Sequence, residues 1–385
     1  MSGTEIYLDY AAATPLDQRV FAAMEPYLTS QYYNPSAMYD AARAVRADLE
    51  QARHRLAMAI GAKSQEIILT AGSTESINLA ITGAIGQYGG RVATSRIEHS
   101  AVIETVKRLG GLWIEADHRG YVTEAAVKAV ITDDVTLISI GYANNELGTV
   151  QPLRAIAQLV EQIRQDRRAR GVGLPLWLHT DASQAAGLLD ISVSRLGVDM
   201  MTLSAGKCYG PKQVGLLWMR AGMQLRPLID GGGQENGLRA GTENVAGAVG
   251  FAEALSFAVA KRGEESRRLA HLRDQLQRCI EDAIPGVVVN GHPKQRVSHI
   301  LHVSIPDLDG ERAVFALDDR GVMAATGSAC AARSSTRSHV LTAIGMSDEL
   351  ADGSLRLSLG RQTTAGEIER ACQIITDVIK QERGL

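Results

Sequence analysis

The chain is poor in several features that mark whole classes of protein. Aromatic residues make up 4% of it, too few for a platform on which nucleic-acid bases stack. The formal net charge is −3, so neither a polyanion nor an acidic membrane surface attracts it in bulk. No apolar run reaches the roughly 18 residues that a membrane span needs. The opening stretch, MSGTEIYLDYAAATP, has no basic segment followed by an apolar one, and the expected compartment is therefore the cytoplasm. Cysteine occurs at four positions, Cys208, Cys279, Cys330 and Cys372, and never as CxxC, which excludes a zinc ribbon and suits a reducing compartment. A nucleotide-binding P-loop is missing too. At the spacing that would make Gly206-Lys207 the end of such a loop, the first glycine position is Met201, and Cys208 follows the lysine. GGGQENG at 231–237 imitates a dinucleotide fingerprint only poorly, with no strand–helix unit around it.

What is present describes a soluble globular chain of 385 residues, 45% hydrophobic and 22% charged, long enough for one large domain and a smaller one. Helical periodicity runs through 40–59, 75–87, 100–109, 153–169, 264–283 and 365–382. Short β-rich runs lie between, at 66–70, 91–95, 112–116, 135–142, 175–180, 199–204 and 214–219, with others near 286–290, 299–305 and 354–359. Strands alternating with helices predict an α/β fold with a mostly parallel, doubly wound sheet. The change of pattern after about 250 predicts a smaller α+β domain. The expected division is a large domain over 15–255, with 1–14 and 256–385 forming the small one.

In such a sheet, ligands bind outside the carboxyl ends of the strands. The residues there are Ser73 and Thr74 after 66–70, His99 after 91–95, Asn145 after 135–142, Asp181 and Gln184 after 175–180, and Lys207 after 199–204. Each has a bland reading as a cap, a turn residue or a solvated loop residue. Together they match the needs of pyridoxal phosphate. Lys207 supplies a Schiff-base amine, Asp181 a partner for the pyridinium nitrogen, and Gly72-Ser73-Thr74 a phosphate cup at a helix N-terminus. Asn145 and Gln184 can donate to the phenolate oxygen, and His99 can stack on the ring and move protons.

A second informative stretch is GVMAATGSACAARSSTRSHVL, 321–341. Cys330 sits there among small polar residues without apolar periodicity, as expected of an exposed loop, and Arg333, Arg337 and His339 follow it. Cys279 and Cys372 fall on apolar helical faces and are read as packing, as is Cys208. Arg356, in the apolar strand GSLRLSLGR, is either paired structurally or grips a carboxylate bidentately.

Taken with NPSA, LTAGSTESINLAI, IEHSAV, ANNELGTVQP, HTDASQAAG, SAGKCYGPK and GGGQENGLRAGTEN, these stretches closely resemble the class I cysteine desulfurases of the NifS/IscS group, in the fold-type I pyridoxal-phosphate superfamily. The resemblance covers nearly the whole chain. It implies conversion of L-cysteine to L-alanine, with sulfur left as a persulfide on Cys330 for a sulfur-acceptor protein. It also implies a homodimer with the site at the interface, and no nucleic-acid or membrane partner. It makes Lys207, His99 and Cys330 catalytic, gives Thr74 and Ser204 to the phosphate, and brings Thr242 to that phosphate from the other subunit. Asn34, Asn145 and Arg356 would bind substrate. Iron–sulfur assembly, tRNA thiolation, cofactor synthesis and DNA phosphorothioation are all served by such donors. The chain departs from the family at Gly206, where a histidine usually stands near the phosphate, and in the more basic AARSSTR after Cys330. Another fold-type I activity, such as an aminotransferase, selenocysteine lyase or β-lyase, would not need Cys330, and a non-catalytic scaffold would need no cofactor.

Overall fold

A computed structural model describes residues 5–327 and 337–384. Its central sheet has the order β2-β8-β7-β6-β5-β3-β4. The strands are β2 (Ile67–Thr70), β3 (Arg91–Ser95), β4 (Leu112–Ile114), β5 (Val135–Ser139), β6 (Trp177–Asp181), β7 (Met200–Ser204) and β8 (Gly215–Met219). Neighbours from β7 to β4 pair in parallel, whereas β8 runs antiparallel to both β7 and β2. β2, β3, β5, β6 and β7 therefore all end on the same edge.

The sheet is buried on both faces, as a parallel sheet wrapped by helices must be. Successive residues alternate between two apolar clusters. Val92, Leu137, Met200 and Leu217 point to one, shared with α3 (Ser73–Tyr88) and α4 (Ser100–Arg108). Ala93, Ile138, Met201 and Leu216 point to the other, shared with α2 (Asp40–Ile60), α6 (Leu153–Arg170) and the first half of α8 (Val245–Ala283). This is the period of 2 set by the pleat.

α8 has 39 residues, about 58 Å of helix. The periodicity predicts only its second half. The first half, with Gly247, Gly250 and many alanines, is buried on most sides and so carries no apolar stripe to read. Leu269, Leu272, Leu276 and Ile280 then join a separate cluster with the C-terminal helix Ala365–Glu382 and the sheet β12-β10-β9, where β9 is Val288–Val289, β10 Ile300–Ser304 and β12 Ser354–Ser358. The N-terminal arm docks on the same region. β1 (Ile6–Tyr7) pairs in parallel with β11 (Val322–Met323), and Ser358 Oγ accepts from Ala11 N at 2.9 Å.

One expectation is corrected here. Cys279 and Cys372 do lie on the helical faces expected, but they are joined as a disulfide, with Cα atoms 6.2 Å apart. Each helix by itself shows only an apolar-face position. The pairing exists because α8 and the C-terminal helix pack together across 93 residues of sequence. Cys208 is buried as expected, and burial pushes its thiol up to about 12, far from a reactive thiolate. No helix among the described residues is long and apolar enough to cross a membrane.

Candidate active site

At the edge where the parallel strands end lies a cavity of about 240 Å³. Ser73, His99, Asn145, Asp181, Gln184, Lys207 and Arg356 share its wall. Sequence separations of more than 280 residues collapse into one pocket because β2, β3, β5, β6 and β7 point the same way, while Arg356 arrives on β12.

Lys207 follows β7 in a single 3₁₀ turn, Ala205–Lys207. Its Nζ donates to the carbonyls of Ala11, at 2.7 Å, and Ala12, at 2.6 Å. Gln184 Nε2 donates to the same Ala11 oxygen at 2.9 Å. The N-terminal arm thus forms part of the site wall, which no motif in the sequence signals. Asp181 ends β6, and its Oδ1 accepts from Ser183 N at 2.9 Å, which fixes the carboxylate toward the cavity. His99 caps α4, its Nδ1 accepting from Ala101 N at 3.1 Å. A neutral ring then carries its proton on Nε2. Burial lowers the His99 pKa, with Asp181 opposing the shift and Lys207 and His339 adding to it.

Gly72 precedes α3 with φ +122°, a backbone region that favours glycine. A Cβ on Gly215 of β8 would come within 2.8 Å of Gly72 Cα, so the two backbones touch and hold this turn against the sheet. Ser73 and Thr74 then begin a 16-residue helix whose first amides suit an anion. Ser204 ends β7 beside this turn's partner strand. Arg356, 2% exposed, is held by Asp9 Oδ1 at 2.7 Å and the Asn145 carbonyl at 3.1 Å.

Of the residues the sequence singles out, Thr74 and Ser204 adjoin this wall without lining it, and Asn34 and Thr242 lie away from it. Asn34 is exposed in a turn, its Oδ1 accepting from Ser36 N at 2.8 Å. Thr242 is also exposed, and lines a different cavity with Thr70, Ala71, Glu235 and Arg239. Cys330 and Arg333 lie outside the described residues. Arg337 grips Asp352 and Asp348, each at 2.7 Å, so its charge faces two carboxylates.

The pocket contains groups that the sequence reading passed over. Glu98 is buried behind His99, with its carboxylate accepting from Ser95 Oγ and, at 2.9 Å, from Gly141 N. Burial raises its pKa to about 7, and Asp181 adds to the shift. Ser183 Oγ, also on the wall, is buried without a hydrogen-bond partner among the described residues. The only sequence signal for Glu98 is its place next to His99, and Ser183 has none beyond lying between Asp181 and Gln184.

The donor set fits pyridoxal phosphate. An amine, a carboxylate, an imidazole and two side-chain amides converge on one cavity. Beside them lies a helix N-terminus, and Ser183 Oγ is a buried hydroxyl still without a partner. At Gly206 a Cβ would find its nearest neighbour, Lys212, at 3.8 Å, so the backbone leaves room for a side chain. Gly206→His is therefore expected to tighten cofactor binding about 10-fold, the worth of one hydrogen bond to a charged group. A cofactor titration followed by absorbance checks this, and unchanged affinity refutes it.

Comparison with known proteins agrees with this chemistry. The aminotransferase class-V family matches residues 6–371. A protein named cysteine desulfurase IscS from Dictyoglomus turgidum is 41% identical, over 98% of this chain and 95% of its own. A solved NifS-like protein superposes with a TM-score of 0.89 at 31% identity, over 98% of this chain and 100% of its own. A structure described as SspA in complex with cysteine superposes with a TM-score of 0.78 at 34% identity, over 92% of this chain and 98% of its own. A fold-type I sheet that brings a lysine, a carboxylate and a helix N-terminus together, with relatives alike along their whole length, leads to one conclusion: the chain belongs to the aminotransferase class-V family, among its pyridoxal-phosphate-dependent cysteine desulfurases.

Proposed function

We propose that this protein converts L-cysteine to L-alanine and passes the sulfur to Cys330 as a persulfide, for delivery to an acceptor protein. The observation that carries the reading is the shared wall of Lys207, Asp181, His99 and Arg356 in one cavity. We further propose a homodimer working in the cytoplasm, with Thr242 reaching the phosphate held by the other subunit. Its exposure on a separate cavity supports that role. The division into a large domain over 15–255 and a small one over 1–14 and 256–385 is part of the same reading. The separate apolar cluster around β10 and the C-terminal helix supports it.

Pyridoxal phosphate, when bound, supplies an electron sink for the substrate's α-carbon. The chain's own residues do the rest. Arg356 receives the substrate carboxylate, its guanidinium already oriented by Asp9 and the Asn145 carbonyl. Asn34, with Asn145, completes the proposed substrate contacts. Lys207 takes the proton from the α-carbon. With the cofactor bound, Asp181 would keep a proton on the ring nitrogen, Asn145 and Gln184 would donate to the phenolate oxygen, and His99 would cover the ring. Ser73, Thr74 and Ser204 would hold the phosphate. The Cys330 thiolate then attacks the substrate sulfur. An S–S bond forms, the C–S bond breaks with its electron pair left on the β-carbon, a proton equivalent to that of the Cys330 thiol is taken up there, and Lys207 returns the α-proton to complete alanine. Cysteine and a thiol thus become alanine and a persulfide without an added oxidant or reductant.

The test is to incubate the purified holoenzyme with L-cysteine and quantify alanine and protein-bound sulfane sulfur. Equal amounts in the first turnover support the reading. Sulfide and pyruvate, or transamination without sulfur transfer, refute it. Arg356→Lys retains the charge but loses the planar fork, so KM for cysteine is expected to rise about 10- to 100-fold while cofactor absorbance is unchanged. A KM at the parent value would remove Arg356 from substrate binding.

A further inference from the structure

Glu146 lies one residue beyond Asn145, on a turn that adjoins the cavity, and is 1% exposed. The turn is rigid. Asn144 Oδ1 accepts from the amides of Glu146, at 2.9 Å, and Leu147, at 2.8 Å, while Asn144 Nδ2 donates to the Ile97 carbonyl at 2.8 Å. The Glu146 carboxylate therefore has a fixed place between the ends of β3 and β5.

Two residues from elsewhere in the chain meet it. Ser338 Oγ donates to Glu146 Oε2 at 2.6 Å, in a buried contact. Gly327 packs on the same oxygen, since a Cβ there would lie 3.2 Å from Oε2 and 3.7 Å from Ser338 Cβ. The next residue, His339, donates a ring N–H to the Glu98 carbonyl at 2.9 Å, next to His99. Gly327 and Ser338 flank the sequence that contains Cys330. One buried carboxylate oxygen thus receives the chain on both sides of that sequence, and His339 adds a second tie to the site wall. A carboxylate this buried is costly unless a donor meets it, and the Ser338 hydroxyl is that donor.

We propose that Glu146 is a positioning residue for sulfur transfer, fixing both flanks of the cysteine-bearing sequence against the cavity. The inference rests on the proposed function. Anchoring both flanks of a segment beside a site raises the effective concentration, at that site, of a group the segment carries. Glu146 is not among the residues that line the cavity, so steps before sulfur transfer should not need it.

The experiment uses the full-length holoenzyme carrying Glu146→Ala, Glu146→Gln, Ser338→Ala, or Glu146→Ala with Ser338→Ala. Cofactor absorbance and its change on adding L-cysteine are followed first. Persulfide on Cys330 is then quantified by alkylation and mass spectrometry in single turnovers. In Glu146→Ala the spectra should match the parent, KM for cysteine should hold, and persulfide formation should slow by about 10- to 100-fold. Glu146→Gln keeps an acceptor oxygen and should restore most of the rate. The double variant should be no slower than Glu146→Ala, because both changes break one contact. Persulfide formation at the parent rate in both Glu146→Ala and Ser338→Ala overturns the proposal. So does loss of the cofactor spectrum in both, which would make the contact part of the cofactor site. If Glu146→Ala does not fold, Ser338→Ala decides by the same measurements. A parent enzyme that forms alanine but no persulfide refutes the desulfurase reading itself, and the proposal with it.

Discussion

Lys207→Ala is expected to leave the fold intact, remove the absorbance of lysine-linked pyridoxal phosphate and abolish alanine formation. In the proposed mechanism the amine serves twice, as the cofactor's covalent anchor and as the base for the substrate's α-proton. Loss of proton transfer alone costs on the order of 10²- to 10⁴-fold, and loss of the covalent link adds to it. Nζ donates to backbone carbonyls of the N-terminal arm, at 2.7 and 2.6 Å, and the fold should survive because that arm does not depend on them. That arm keeps its own ties through β1–β11 pairing and the Ala11–Ser358 contact. Absorbance and alanine assays on one preparation decide the matter. A variant with parent-like absorbance and turnover would remove Lys207 from the chemistry.

Cys330→Ser is expected to show the opposite separation. The cofactor spectrum and its response to L-cysteine should be unchanged, while persulfide falls below detection. A hydroxyl is a far weaker nucleophile than a thiolate and forms no stable bond to sulfane sulfur. Other cysteines cannot stand in. Cys208 is buried with its thiol pushed up to about 12, and Cys279 and Cys372 are paired with each other. Alkylation followed by mass spectrometry is the measurement. Persulfide at the parent level would reassign the acceptor thiol and undo the proposed transfer step.

The two variants separate the halves of the site according to how each was legible. Lys207, Asp181, His99 and Ser73 could be read from the sequence because each directly follows a strand-like run, and parallel strands deliver their ends to one edge. The alternation of Met200 and Met201, or Leu137 and Ile138, between two cores expresses the same pleat that made those runs recognisable. Gln184 was legible as a donor, but its actual acceptor, the Ala11 carbonyl, was not. A backbone oxygen has no residue type to recognise. Arg356 stood out as a charge in an apolar strand, yet its partner Asp9 is separated from it by almost the whole chain.

The remaining features required the assembled molecule. Glu98 and Glu146 are ordinary acidic residues in sequence, and only burial beside His99 and against Ser338 gives them a part. The Cys279–Cys372 disulfide depends on how α8 lies along the C-terminal helix. The first half of α8 carries no stripe because nearly every side is covered.

The sequence alone determined the strands of the main sheet, its mostly parallel direction and which side chains follow those strands at the active edge. These follow from short-range periodicity and from the rule that parallel strands need crossover helices. Tertiary structure alone decided the N-terminal arm in the site wall, the Asp9–Arg356 pair, the two flanks held at Glu146 and the joined cysteines. Each of these is a contact between segments far apart along the chain. Its geometry comes from how whole elements pack, which no local pattern of residues encodes.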